Sequence, residues 1–442
     1  MVKRIKVITR IIIAVIIFAA AAAIYVVNEQ TVNVVKSITM SENTSSSITV
    51  SWHEVKGADG YHIYLSKNDS TVFERVGDVN DGKACSFQIE NIGSGDFYKI
   101  NVTAYKLFNN EKYEGDPAEE ISAYSLPCAP DLSASSAEEG VLSAQWSEQK
   151  NAVSYELEYA KSDDFSDAKT EKLTENNFTV EGLQPHDIYF VRVRSVMKAG
   201  SKKVYGDWSE VIRVGIRKKP VMNPDIDPDK PLIALSFDDG PAFEYEGVNS
   251  TMEILKVLEE HGARATFFMC GSRINEENKA CLLKEIELGC ELGNHTYDHR
   301  NYGHKVTTGD IVKSSNAIKD ACGQLPTIFR CPGGIITQSI REECKKEGMP
   351  LAYWSVDTED WKSQDPKKIY DEVMKHAYDG AIILMHDIYP STAEAVKKIV
   401  PQLIEDGYQV VTISEMIAVR NDGNPPEPGQ QYVDYNTINN NT

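Results

Sequence analysis

"LIALSFDDGP", residues 232–241, is an apolar run that stops at two adjacent carboxylates and a Gly-Pro turn. A strand buried on both faces of a parallel sheet reads as such a continuous run. Neighbouring residues of a strand point to opposite faces, so Asp238 and Asp239 reach one site only if the strand is already ending there. The pair is either turn chemistry or site chemistry, and the surrounding pattern has to decide.

Further along the chain, short apolar runs recur as "ATFFM" from 265, "CELGNH" from 290, "TIFRC" from 327, "LAYWSV" from 351, "AIILMH" from 381 and "YQVVTI" from 408. Between them lie segments of helical period such as "MEILKVLEEHG", "ENKACLLKEIELG" and "TAEAVKKIVPQLIEDG", several closed by a glycine that suits a helix C-cap. Seven strands alternating with six helices predict parallel pairing through right-handed crossovers, hence an α/β barrel or open sheet over residues 232–420. The remainder, 421–442, lacks a core-forming pattern and is expected to be a disordered tail.

Upstream, "KKPVMNPDIDPDKP" carries four prolines and marks residues 217–231 as a semi-rigid linker. Before it stand two copies of one plan. "WHEVKGADGYHIY" from Trp52 and "WSEQKNAVSYELEY" from Trp146 each place a tyrosine nine residues after the tryptophan, and Tyr98 and Tyr189 each follow an aliphatic residue by six. Stretches of period-two alternation such as "KINVTAY" and "FVRVRSV" between Gly, Asn, Asp and Ser clusters read as all-β sandwiches. A tryptophan in the core and a corner tyrosine bonded back to the chain suit that architecture. The residues resemble the immunoglobulin-like fibronectin type III family over 33–125 and 126–216, most specifically at Leu183-x-Pro185-x-x-x-Tyr189, whereas Ser94 replaces the proline in the first copy. The resemblance implies spacers or weak glycan- or protein-binding modules.

The chain opens with four basic residues among its first ten, followed by the uncharged "IIIAVIIFAAAAAIYVV". Residues 1–30 are expected to form a cytoplasmic basic stub and a membrane anchor, with everything beyond exported; a cleaved signal peptide is the competing reading. The formal net charge of −20 arises despite that basic start, so the exported part is strongly acidic. Such a surface excludes nucleic acid and anionic polymers as electrostatically steered partners. Of eight cysteines, six lie between 270 and 344, and their spacing matches no compact disulfide framework.

In α/β barrels reactive groups stand where strands end. Those ends carry Asp238 and Asp239, His295 and His299, Arg330, Asp357 and Asp360, and His386 with Asp387. "HTYDH" is not the zincin signature, because Thr296 stands where that motif needs glutamate. Two imidazoles and one carboxylate would leave an open position on a metal, the arrangement of a catalytic site. A second carboxylate adjacent in the chain lies within reach as a base.

Here the chain resembles the polysaccharide deacetylases of the NodB-homology type, carbohydrate esterase family 4, whose five motifs can be placed in order. The resemblance implies a distorted (β/α)7 barrel. "SFDDG" then implies Asp238 as general base and Asp239 as metal ligand, and "HTYDH" implies His295 and His299 as further ligands of a zinc ion, another divalent transition metal being compatible. "RCPGG" implies Arg330 as the partner of Asp238, with Gly333 where the family commonly has tyrosine; a backbone donor toward the oxyanion survives there, but a groove-lining ring is lost. "DTEDW" implies Asp360 orienting the acid histidine and Trp361 walling the acetate pocket, and "LMHD" implies His386 as general acid and Leu384 against the acetyl methyl. Asp298 and Asp387 are candidates for fixing tautomers, Cys331 is a packed thiol or half a disulfide, and His53, His62, His186, His261, His304 and His376 are surface or helix positions.

The expected activity is removal of acetyl groups from N-acetylglucosamine residues of a cell-wall polysaccharide, with peptidoglycan favoured and the anchor holding the enzyme at the cell membrane. Alternatives are an O-acetyl xylan esterase, a chitin oligosaccharide deacetylase, and a noncatalytic wall-binding protein. Another places binding on the sandwich pair, with the barrel ancillary.

Overall fold

The computed structural model of the chain describes residues 2–67, 70–219, 222–299 and 305–435. A helix spans Val2–Gln30, and within it Ile8–Asn28 has a mean hydropathy of 2.7, long and apolar enough to cross a membrane. The first sandwich follows almost directly. Val35 is already buried in its core, and Lys106 Nζ donates to the Asn28 carbonyl at 3.2 Å.

Each sandwich packs a three-stranded sheet on a five-stranded one, all pairs antiparallel. The tryptophan-to-tyrosine spacing in the sequence becomes one ring pair in each core: Trp52 and Tyr61 meet edge-on at 5.1 Å, Trp146 and Tyr155 at 5.5 Å. The tyrosine hydroxyls close the same local loop, accepting from Val55 N and from Gln149 N at 3.0 Å in each case. The corner bond is made by the copy that departs from the family pattern: Gly93 N donates to Tyr98 Oη at 2.8 Å. Tyr189 instead packs its ring 6.0 Å from Tyr159. His62 departs from the surface reading. It is 1 % exposed although it points away from the core that Tyr61 and Ile63 enter, because Glu114, Asp78 and the Tyr105 ring cover that face of strand Gly60–Lys67.

The C-terminal unit is a curled, all-parallel half-barrel. Its strands run in the spatial order Val356–Asp357, Ile382–His386, Leu232–Gly240, Thr266–Met269, Glu291–Asn294, Ile328–Phe329, Leu351–Ala352 and Gln431–Tyr432, with Gln409–Val411 pairing the start of Leu232–Gly240. Helices Ser250–Glu260, Lys279–Glu287, Thr308–Cys322, Gln338–Lys346, Pro366–His376 and Pro390–Glu405 cover the outside. Their starts carry the expected signals: Asn249 caps Met252 N, and Thr307 and Asp310 form a capping box.

Two features differ from the sequence expectation. "LAYWSV" is two strands rather than one. Leu351–Ala352 lies near one end of the open sheet and Val356–Asp357 at the other, so this single apolar run crosses the gap in the half-barrel. The tail is ordered where it is described: Gln431–Tyr432 adds a parallel strand to Leu351–Ala352, and Tyr432 is 4 % exposed. A two-residue strand is too short to leave a periodicity. Residues 436–442 and His304 lie outside the described residues.

Candidate active site

Asp238 ends the regular part of strand Leu232–Gly240, in register with His386 on one side and Phe268 on the other. The pairing with the next strand then skips a residue, since Gly240 faces Met269 and Asp239 turns through φ 73°. This bulge breaks the alternation of side chains, and both carboxylates come to lie against one imidazole. His295 Nε2 is 3.6 Å from Asp238 Oδ2 and 3.6 Å from Asp239 Oδ1, while His299 Nε2 is 3.5 Å from Asp239 Oδ1.

"HTYDH" is a turn and not a helix. Thr296 takes φ 67°, and the segment is held by bonds from Gly271 N to Thr296 O and from Ser272 N to Tyr297 O at 3.1 and 2.8 Å. The two rings stand 5.2 Å apart, with His295 fully enclosed and His299 half-exposed. His295 Nδ1 lies 2.8 Å from the Arg330 carbonyl, which can only accept, so Nδ1 carries the proton and Nε2 presents its lone pair to the carboxylates. Burial depresses the His295 pKa, partly offset by the two aspartates.

An imidazole lone pair and two carboxylates crowded together form a set that a cation satisfies. The ligand atoms of Asp239, His295 and His299 all lie within 4.8 Å of one another. Ligands about 2.1 Å from a tetrahedral metal stand roughly 3.4 Å apart, close to the separations seen here. The Cys270 thiol, 3.8 Å from Asp239 Oδ1, adds a weak donor behind that carboxylate.

Asp238 is held by Arg330, whose Nη1 donates to Asp238 Oδ1 at 2.8 Å and to Ser236 Oγ at 2.9 Å, and whose Nη2 donates to Tyr353 O at 2.8 Å. Burial pushes the Asp238 carboxyl up, but the charges of Arg330, His295 and His386 outweigh it and leave its pKa below the usual value. His386 sits opposite. Its Nδ1 is 2.7 Å from Asp360 Oδ1, and Asp360 also accepts from His386 N, Thr392 Oγ1 and Trp361 N at 2.7, 2.7 and 2.9 Å. Burial would lower the His386 pKa, yet the bond to Asp360 and the charges of Asp360, Asp238 and Asp239 raise it to about 9. Leu384 and His386 are two apart on strand Ile382–His386 and so share a face. Trp361 is half-exposed, and Gly333 sits in a tight turn at φ 69°.

Asp387 does not fix the His386 tautomer. It accepts a short bond from Thr251 Oγ1 and lies against Gly240, and burial pushes its pKa up to about 7. Cys331 is a packed thiol that donates to Ile335 O at 2.9 Å. Ser236, Thr392 and the Tyr353 carbonyl escaped sequence reasoning. Only Ser236 carried a signal, two residues before Asp238 on the same face of the strand.

The family described as polysaccharide deacetylase matches residues 225–352, and fibronectin type III matches 33–123 and 127–214. The chain is 37 % identical over 205 residues to the peptidoglycan-N-acetylglucosamine deacetylase PgdA of Listeria monocytogenes, covering 46 % of this chain and 41 % of that one. It is 37 % identical over 198 residues to the peptidoglycan-N-acetylmuramic acid deacetylase PdaC of Bacillus subtilis, covering 44 % and 40 %. These curated relatives are therefore spanned over about two fifths of their length. A peptidoglycan-N-acetylglucosamine deacetylase of Bacillus cereus is 34 % identical over 194 residues, 42 % of this chain and 88 % of its own length. The solved structure of PdaC from Bacillus subtilis aligns with a TM-score of 0.41 at 36 % identity, covering 45 % of this chain and 95 % of that one. With most of a relative of this identity spanned by the half-barrel, the chain belongs to the polysaccharide deacetylase family, with two fibronectin type III units ahead of the enzyme unit.

Proposed function

We propose that the protein hydrolyses the acetamide of N-acetylglucosamine residues in peptidoglycan, with zinc held by Asp239, His295 and His299. The observation that carries this reading is the convergence of those three ligand atoms beside Asp238, itself held by a buried arginine. The activities of the relatives named above favour peptidoglycan over xylan or chitin as the polymer. The apolar N-terminal helix supports attachment to the outer face of the cell membrane.

When bound, zinc would supply Lewis-acid polarisation of the acetyl carbonyl and of water. Asp238, ionised at neutral pH by its cationic neighbours, accepts the proton of the attacking water. Arg330 keeps that carboxylate oriented through the Nη1 bond. The Gly333 N–H serves as the backbone donor toward the oxyanion. His386, protonated because Asp360 holds its Nδ1, gives a proton from Nε2 to the departing amine. Leu384 and Trp361 bound the pocket for the acetyl methyl.

The test is acetate release by the full chain in detergent, stripped of metal and then given zinc, on peptidoglycan, N-acetylglucosamine oligomers and acetylated xylan. Zinc-dependent release from the glucosamine substrates is expected. Asp238→Asn should lower kcat by about 10²- to 10⁴-fold while still binding one zinc. An Asp238→Asn protein that keeps full activity would remove the base assignment, and release from xylan alone would replace the amide by an ester.

A further inference from the structure

The strand that carries Asp238 and Asp239 does not run directly into its helix. Between Gly240 and Asn249 the chain makes a small hairpin in which Tyr245 and Val248 exchange two backbone hydrogen bonds of 2.9 Å. Its turn residues, Glu246 and Gly247, take φ 53° and 79°, the pair of positive values that suits a tight two-residue turn. The base is stitched to the body. Ala242 N donates to Thr251 Oγ1 and Asn249 Nδ2 donates to Ala242 O, both at 2.9 Å. The Arg273 guanidinium covers one side of the Phe243 ring at 4.5 Å. Yet the hairpin turns its apolar side chains outward: Phe243 is 50 %, Tyr245 70 % and Val248 47 % exposed. Packing does not account for two exposed rings on an anchored loop a few residues from the reaction centre.

The sheet order gives their direction. Strand Thr266–Met269 flanks Leu232–Gly240 on one side, and Arg273, which follows it, holds Phe243. Ile382–His386 and then Val356–Asp357 flank it on the other side, and the half-exposed Trp361 follows the latter. Exposed aromatic rings thus follow the strand that carries Asp238 and Asp239 and, two strand spacings or about 10 Å along the sheet, the strand before Trp361. The rim at Gly333 carries no side chain.

The geometry points to a sugar-binding subsite on the hairpin, with Phe243 and Tyr245 forming a platform for a pyranose ring of the glycan strand next to the residue being deacetylated. The inference rests on the deacetylase reading and extends it. A pyranose ring has an apolar face of C–H groups and a polar edge, which an aromatic face with a polar tip complements. Arg273 backs Phe243 and leaves its other side available. Glu244 and Glu246 alternate with the rings along the sequence, and their carboxylates are acceptors of the kind sugar hydroxyls use. The occupant is therefore a neutral polyhydroxylated ring, and the hairpin supplies the aromatic contact that Gly333 lacks.

Two readouts keep this subsite separate from the chemistry. Acetate release by the unaltered full chain on N-acetylglucosamine oligomers of increasing length reads the deacetylase activity. Calorimetric binding of the longest oligomer to the Asp238→Asn protein reads the platform whether or not acetate is released. Phe243→Ala with Tyr245→Ala should weaken that binding about tenfold and flatten the rise of kcat/KM with oligomer length. Phe243→Leu with Tyr245→Leu, which keeps apolar bulk, should lose as much, while Tyr245→Phe should stay within about twofold. Val72→Ala, exposed on the first sandwich, serves as the unaffected control. Unchanged oligomer affinity in the double alanine protein, or full affinity in the leucine pair, would overturn the subsite.

Discussion

At the scale of single residues, His386 and Asp238 are driven in opposite directions by the same cluster of charges. Asp238 is held ionised by Arg330, and His386 is held protonated by Asp360, with its pKa raised to about 9. Activity that needs the protonated imidazole is lost as pH rises through that value. Asp360→Asn removes the negative charge and the acceptor at Nδ1, so the alkaline limb of the kcat/KM profile should move toward the ordinary histidine value near 6.5. The rate at pH 8 should then fall about tenfold or more. A profile that keeps its alkaline limb in Asp360→Asn would show that the acid is another group. The types and order of these residues were legible in the sequence, because "SFDDG", "HTYDH" and "LMHD" each sit at the end of an apolar run. Their supports were not. Thr392 reaches Asp360 from the first turn of a helix, 32 positions away, and no local pattern marks a threonine for that task.

At the scale of elements, the bulge at Asp239 answers how neighbouring carboxylates share one site. It depends on Gly240, where an added Cβ would stand 2.5 Å from Asp387 Oδ2 and 2.7 Å from Oδ1. Asp387 is buried and short, so the strand end would have to move. Gly240→Ala should cost about 1–3 kcal/mol in unfolding free energy and weaken binding of the proposed zinc, since Asp239 adjoins the displaced residue. Chemical denaturation and zinc titration measure both, and a variant with native midpoint and native zinc affinity would refute the account. Strand positions followed from apolar runs, because burial on both faces leaves that signature. The split of "LAYWSV" left none, since six consecutive residues spend two on the first strand, three on the turn and only Val356 on the second strand.

At the scale of the whole molecule, the second sandwich is docked on the half-barrel. Arg213 pairs with Glu347 of the half-barrel and donates to Asn316 Oδ1 at 2.7 Å, and Leu325 N donates to His186 Nδ1 at 3.0 Å. His186 is thereby an interface residue and not a surface one, and burial lowers its pKa to about 4. The linker is also tied down, with Asn223 N donating to Glu415 Oε1 and Asp227 N to Gln409 Oε1 at 3.0 and 2.8 Å. Between the two sandwiches, the buried Asp96 takes both Lys67 and Lys150, and Asn151 Nδ2 donates to Gly95 O at 2.9 Å. Arg213→Ala leaves the Glu347 carboxylate enclosed without its cation and should cost about 3 kcal/mol, read as a lower melting temperature and faster proteolysis near residues 217–231. Replacing both partners by apolar residues should recover most of that loss. Equal stability of Arg213→Ala and the unaltered chain would mean that the units only touch.

The sequence by itself determined the order of the units, the strand ends on which the acidic and imidazole groups stand, and the apolar helix at the start. Each of those is written in local composition and periodicity. Tertiary structure decided what depends on residues far apart in the chain. The bulge that turns Asp239 beside Asp238 is read against a neighbouring strand, the proton on His295 is assigned by a carbonyl 35 positions away, and the docking of sandwich on half-barrel joins side chains 134 positions apart. Register between strands and the contacts of buried charges are set by packing in three dimensions, so neither leaves a period in the sequence.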